Sequence, residues 1–499
     1  MVSAAMPDED EYRLLATDDA TKDDEEFEDE QNEELGDAGI SEALFAEAEK
    51  KLVRKLDRRL MPCLFAMIVL NYLDRNALAN ARVQGIEQSL GLTGSQFNTA
   101  IAVFFIGYIG LQVPSNLLLT RVRPSLYLPG CMLAWGLLSG ATALVTNFRG
   151  LATVRFFLGA AEAPFFPGAL FLLSAWYTRR ELALRTALLY SGSLLAGALG
   201  GLAAAAATSG LAGAAHLPAW RWLFALEAAA TLALAAAARF ALPDYPRTTR
   251  WLTAAERALA ARRLRRSSGI DDGGACGRCA GLRAVAADPK VWLLAGVVAA
   301  KTVGGGAAGF VPTLVAALGA GGPAASLALV APPYVVAAAV ALAVSRSSDA
   351  RGERAAHVAV PVLVAAAAFA VAAVAESPAV RYAALFGMLA GVYGAYNVAL
   401  AWIASTVPSP AEKRSAAVAI VNTLGNLVQV FTPYMYLASF GPRYLLAMVV
   451  TSGACVICAV LTLVLRRLMV RDNARLAISE RLGEDGEGDG KNPGFRYVL

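Results

Sequence analysis

Charge is what this chain has least of. Only 17% of its 499 residues are Asp, Glu, Lys or Arg, where a soluble globular chain carries about 25%. Histidine is nearly missing, with two in all, so a His-built metal centre is not expected. Six cysteines in this length make no disulfide framework. Cys276 and Cys279 form a lone CxxC with no second pair to complete a zinc site. No Gly-Lys-Ser/Thr phosphate loop is present, which excludes P-loop nucleotide hydrolysis. The string GGGAAG (304–309) satisfies GxGxxG by letter. It sits in an apolar helical run with no strand before it, so it reads as close helix packing rather than a dinucleotide site. Neither an enzyme activity nor a cofactor is expected.

Apolar residues are abundant, at 57%. A helix crossing the hydrocarbon needs about 20 mostly apolar residues, and twelve stretches qualify. They are 60–80, 96–119, 126–146, 150–176, 184–207 and 219–242, then 290–317, 324–345, 356–375, 380–406, 414–438 and 443–466. The runs are continuous rather than alternating, which excludes a β-barrel. The expected fold is an all-α membrane protein with twelve transmembrane helices in two six-helix pseudo-repeat bundles. The halves echo each other: ELALRTALLYSGSLLAGALGG (181–201) and EKRSAAVAIVNTLGNLVQV (412–430) both set an acid and an Arg before a helix rich in small residues.

Charge is also unevenly spread. Residues 1–48 hold 18 of the 40 acids and only two bases, Arg13 and Lys22. This segment reads as a disordered acidic cytosolic tail, and its Leu14-Leu15 pair fits an acidic dileucine sorting signal. The remaining 42 bases concentrate in even-numbered loops, at Arg121 and Arg123, Arg179 and Arg180, Arg346 and Arg351, and Arg466 and Arg467. That asymmetry places the even loops and both termini in the cytosol. The expected division is a first bundle at 57–242, a cytosolic linker at 243–289, a second bundle at 290–467 and a cytosolic tail at 468–499. Leu252 to Arg266 reads as an amphipathic basic helix that lies on anionic lipid or is solvated. The chain is expected to be a monomer in a lipid bilayer, in the plasma membrane or the vacuolar membrane, with no nucleic-acid partner.

Ionisable side chains inside such helices cost about 2.5–3.5 kcal/mol each on insertion scales, so each needs a partner or a wet cavity. Segment one carries Asp74, Arg75 and Asn76, and segment four carries Arg155 and Glu162 seven residues apart on one face. Pro164 and Pro167 follow and free the carbonyls of Ala160 and Ala163. Glu227 lies in segment six and Lys301 in segment seven. Asn422, Asn426 and Gln429 form a polar stripe in segment eleven. Two readings are open. In one, Asp74, Arg75, Arg155 and Glu162 are an ion-pair network that only ties helices together. In the other, Arg75 and Arg155 bind an anionic substrate with Asn76, Asn422, Asn426 and Lys301, while Asp74 and Glu162 exchange protons.

These residues carry a resemblance. YLDRNALANA (72–81), RFFLGAAEAPFFPGALFLLSAWYTRRE (155–181), WRWLFALEA (220–228), LPDYP (242–246) with WLTAAER (251–257), APPY (331–334) and NTLGNLVQV (422–430) resemble the major facilitator superfamily. Within it they are similar to the anion:cation symporters, in particular the fungal allantoate, nicotinate and pantothenate permease branch. The resemblance implies an alternating-access carrier with a central cavity, and an Asp–Arg pair in segment one facing an Arg and a Glu in segment four. SSDARGER (347–354) resembles the superfamily's loop motif and implies a conformational latch at Asp349, Gly352 and Arg354. Two departures, a Gly run in segment seven and Ser405-Thr406 where the branch has two Asn, are expected on the cavity wall. The function so implied is proton-coupled uptake of a small organic carboxylate. The alternatives are a drug or sugar porter of the same fold and a non-transporting nutrient receptor.

Overall fold

A computed structural model describes residues 42–119, 122–245, 249, 251–268, 285–319, 321–406, 411–482 and 497. The described residues form helices and turns without a strand. Twelve helical passes are arranged in two halves. The first half consists of α1 (Glu42–Val83), α2 (Gln96–Leu119), α3 (Pro124–Thr142), α4 with α5 (Phe148–Glu162, Phe165–Ser174), α6 (Arg179–Gly210) and α7 (Ala219–Ala241). A linker helix, α8 (Ala254–Ser268), follows. The second half holds α9 with α10 (Pro289–Gly305, Val311–Ala316), α11 with α12 (Pro323–Ala328, Ala331–Arg351), α13 (Ala355–Val374), α14 (Pro378–Thr406), α15 (Ala411–Phe431) and α16 (Leu445–Leu482).

Local chemistry sets the element ends. Pro124 opens α3 at a position whose N–H would be unpaired anyway. Asn147 caps α4 by accepting the Gly150 N–H at 2.9 Å. Glu181 reaches back to accept the Thr178 N–H at 3.0 Å at the start of α6. Segment four breaks between Glu162 and Phe165, at Pro164.

Among the described residues, eight helical passes are long and apolar enough to cross a membrane by length and composition alone. In α1 the run is diluted by Asn71, Asp74, Arg75, Asn76 and Asn80. Outward faces carry bare apolar side chains such as Leu137, Leu226, Phe240, Val374 and Ile457, as a lipid-facing surface requires. Inside, small residues let backbones touch. A Cβ on Gly107 would run into the Phe156 carbonyl, and one on Gly159 into the Phe104 carbonyl, so α2 and α4 cross at van der Waals contact.

The halves meet along two equivalent seams, α6 against α12 and α2 against α15. Their contacts gather at the end distal to the linker. There Arg82 Nη1 donates to the Tyr436 carbonyl at 3.4 Å, Asn98 to the Pro433 carbonyl, and Thr99 pairs with Tyr434 at 3.2 Å. At the linker end the ion pairs among the described residues stay within one half or its linker: Lys55–Glu256 and Arg185–Asp57 in the first, Lys290–Asp472, Lys413–Asp288 and Arg466–Glu353 in the second.

Three helices add to the expected outline. Helix α1 begins at Glu42, so residues 42–48 belong to it and not to a disordered tail. Helix α16 is 38 residues long and runs on to Leu482, about 18 residues more than the roughly 20 the hydrocarbon needs. The basic helix α8 is docked by one face on the first half. Its Arg263 is buried, donating to the Trp176 carbonyl at 2.7 Å and pairing with Glu181 at 3.3 Å, and Glu256 pairs with Lys55. Cys276, Cys279 and Leu14-Leu15 lie outside the described residues.

Candidate substrate cavity

A cavity of about 160 Å³ lies between the halves. Arg75, Asn76 and Arg155 line it from the first half, and Lys301, Asn422, Asn426 and Gln429 from the second. All six residues read as substrate-binding in the sequence therefore border one space, though they come from four helices of both halves.

Their partners differ. Arg75 donates from Nε and Nη2 to Glu162 Oε2, at 3.0 and 2.8 Å. It is caged by Tyr72, Phe104 and Tyr108, each ring centroid about 5 Å away. Arg155 is 2% exposed and has no acid paired with it among the described residues. Its Nε and Nη1 have no hydrogen-bond partner there, and its guanidinium lies 4.8 Å from the Phe104 centroid. Lys301 is also buried without a paired carboxylate among the described residues. Its ammonium sits 3.6 Å from the Tyr396 centroid. An isolated buried cation is costly, so Arg155 and Lys301 stand out in this wall as cations without a counter-ion among the described residues.

The two carboxyls read as proton groups stand behind this wall. Glu162 is the counter-ion of Arg75. Asp74 pairs with neither Arg. It accepts from Ser139 Oγ at 2.6 Å and Thr231 Oγ1 at 2.8 Å, inside the first half. The four-residue ionic network expected as a structural alternative is thus split: one ion pair, one lone cation and one carboxyl held by hydroxyls.

Gly305, Gly306 and Gly309 line the cavity where segment seven leaves the α-helix for a 3-10 turn at Gly306–Phe310. A Cβ on Gly306 would press on Thr432, so the Gly run lets α9 approach segment eleven. Ser405 and Thr406 do not line the cavity. Their hydroxyls donate to the Trp402 carbonyl, and segment ten contributes Tyr393 and Tyr396 instead. The sequence reading missed these tyrosines, with Tyr72 and Tyr190. A tyrosine in an apolar helix is legible as an amphipathic side chain, but nothing in its spacing tells a cavity wall from a core. The loop motif closes on itself: Asp349 pairs with Arg354 at 2.6 Å around Gly352, whose φ is +61°. Among the described residues, no group of three or more His, Cys, Asp or Glu is placed to hold a metal.

The profile of the Major Facilitator Superfamily matches residues 64–433. The chain belongs to the Major Facilitator Superfamily. Superfamily relatives include the MFS-type transporter cnsO of Penicillium expansum, 32% identical over 488 residues, 91% of each chain. A putative tartrate transporter of Agrobacterium vitis is 30% identical over 422 residues, 84% of this chain and 92% of the relative. The fold is similar to that of a bacterial homolog of the human lysosomal transporter Spinster in an inward-facing, unoccupied conformation. That match has a TM-score of 0.64 at 18% identity and covers 83% of this chain and 97% of the other. The twelve-helix superfamily fold and a multi-pass membrane protein of the transporter class follow.

Proposed function

We propose that this chain is a proton-coupled importer of a small organic anion, within the anion:cation symporter branch. The observation that carries this reading is the pair of buried, acid-free cations, Arg155 and Lys301, set on opposite halves of one cavity. An anion bridging them would engage both halves at once, which is what an alternating-access carrier needs to link binding to rocking. Asn76, Asn422 and Asn426 supply hydrogen bonds that orient the carboxylate, and the tyrosines enclose its body. The relative named for tartrate supports an organic acid as cargo. Nicotinate, allantoate and pantothenate are the cargoes the branch suggests.

Proton coupling rests on energetics. One charge moved across 100 mV is worth about 2.3 kcal/mol, and a monoanion entering an inside-negative cell works against it. One accompanying proton cancels that term, and two reverse it. Glu162 and Asp74 are the groups we assign to proton exchange. When an anion draws Arg75 away from Glu162, the carboxyl loses its counter-ion and gains proton affinity, so cargo and proton load together. The even loops and both termini face the cytosol in this reading. The contacts at the distal end then close the outer side, and the cavity belongs to an inward-facing state. The Asp349–Arg354 turn is the latch that holds its loop during rocking.

Radiolabelled nicotinate, allantoate, pantothenate and tartrate, supplied at two external pH values with and without a proton uncoupler, test the proposal. Accumulation of one of them that rises in acid and collapses with the uncoupler is expected. Accumulation of none, or accumulation indifferent to the uncoupler, overturns it.

A further inference from the structure

Glu227 is a buried carboxyl without a task in the scheme above. It is 6% exposed, and neither of its oxygens has a hydrogen-bond partner among the described residues. It lies on α7 one turn before Thr231, on the same face, and Thr231 Oγ1 is one of the two donors to Asp74. Three helices pack against α7. From α1, Asp74 is the carboxyl on this face, held at 2.8 Å by the Thr231 hydroxyl one turn from Glu227. From α3 come hydroxyls: Ser139 donates to Asp74 and Thr142 to the Leu138 carbonyl. From α6 no charged group reaches it among the described residues. On α7 itself the nearest base, Arg221, donates to the Val145 carbonyl at 3.2 Å. Neither Asp74 nor Glu227 borders the cavity.

Two neighbouring carboxyls in a dry interior are coupled, so the proton that comes and goes belongs to the pair. The donors decide which one is charged. Both hydroxyls point at Asp74, and none points at Glu227.

We propose that Glu227 is a proton-binding site of the transport cycle, holding with Asp74 one exchangeable proton inside the first half, behind the cavity wall. The inference rests on the proton-coupled reading and adds a site to it. The pair binds a proton from water on one side of the membrane and releases it to water on the other. Asp74 is the chain neighbour of Arg75, whose partner Glu162 shares a helix with Arg155. An anion docked on these cations removes positive potential from the pair and raises its proton affinity. By linkage, a proton on the pair tightens the anion equally. The two cargoes need not touch.

Infrared pH-difference spectra of the full chain in lipid vesicles read the site without any cargo. A protonated buried carboxyl band that disappears on alkalinisation is expected in the wild type and is expected to be absent in Glu227→Gln. In Thr231→Val, which keeps both acids and removes one donor to Asp74, its midpoint should move to higher pH. A band unchanged in Glu227→Gln, or one that never titrates, overturns the inference, as does an unmoved midpoint in Thr231→Val. Gradient-driven accumulation of the carboxylate taken up by the wild type then reads its use. Across one pH unit, a lost proton lowers the accumulation ratio about tenfold, while exchange of cargo across the membrane should persist in Glu227→Gln. Wild-type uptake indifferent to the gradient overturns the proposed function. Gradient-following wild-type uptake with equal accumulation by Glu227→Gln overturns the present inference alone.

Discussion

The two walls of the cavity are built to different plans. The first half presents dense ionic chemistry with its own counter-charge: Arg75 is neutralised by Glu162, Asp74 is satisfied by hydroxyls, and only Arg155 is left over. The second half presents one lysine, three amides and a stretch of glycine. Charge that can be rearranged therefore sits in one half, and charge that can only be met by cargo sits in both. In the proposed cycle the first half carries the proton groups together with Arg155, and the second half only recognises the anion.

Breaking the first wall should do the most damage. Arg155→Ala is expected to lower uptake at least about 30-fold, since truncating a buried charge contact costs about 2–5 kcal/mol. Surface labelling should show normal amounts of protein, and full uptake would remove Arg155 from the site. Glu162→Gln should separate two activities. Exchange of labelled for unlabelled cargo continues, while accumulation against a gradient of one pH unit falls about tenfold for each proton lost. Wild-type accumulation would clear Glu162 of a coupling role.

On the second wall the effects should be smaller and confined to affinity. Lys301→Gln keeps a polar side chain, one atom shorter, and loses the charge. It is expected to raise KM about tenfold, as for one charge-assisted hydrogen bond, with the pH dependence of uptake unchanged. Asn426→Ala should raise KM about fivefold, the worth of a neutral hydrogen bond. A shifted pH profile in either variant would contradict the division of labour between the walls.

The smallest effect lies outside both walls. Burial pushes the Glu256 carboxyl up, but its hydrogen bonds from Lys55 and Thr253 outweigh this and hold it below the usual 4.5. A lowered carboxyl stabilises the fold above its unfolded pKa and loses that contribution as pH falls through the lower folded value. The pair is half-exposed, so Glu256→Gln should lower Tm by about 1 °C at neutral pH, with no difference from the wild type once the medium is acid enough to protonate Glu256. Uptake should stay at the wild-type level.

How far the chain could be read in advance differs between these regions. The intramembrane charges were legible because so few exist and each is expensive in hydrocarbon. The stripe of Asn422, Asn426 and Gln429 was legible because helical spacing puts the three on one face. The pairing was not. Arg155 and Glu162 share a face by spacing, yet Glu162 turns to Arg75 of another helix, and Asp74 turns away from both. Ser405 and Thr406 were misplaced for the same reason: a polar residue near a helix end can satisfy itself on its own backbone. The tyrosine lining carried no signal that separates a cavity from a core. The docking of α8 was hidden because a basic amphipathic face suits lipid, water and an acidic neighbour equally.

Composition and periodicity alone determined that this chain crosses a membrane as helices, because unpaired backbone cannot survive in hydrocarbon and long apolar runs leave no other solution. They also singled out the side chains that hydrocarbon penalises. Which of those cations would be left without a partner was decided only by tertiary packing. Pairing depends on how helices rotate and cross, and that geometry is set by contacts such as Gly107 against Phe156 and Gly306 against Thr432, between residues far apart in the chain.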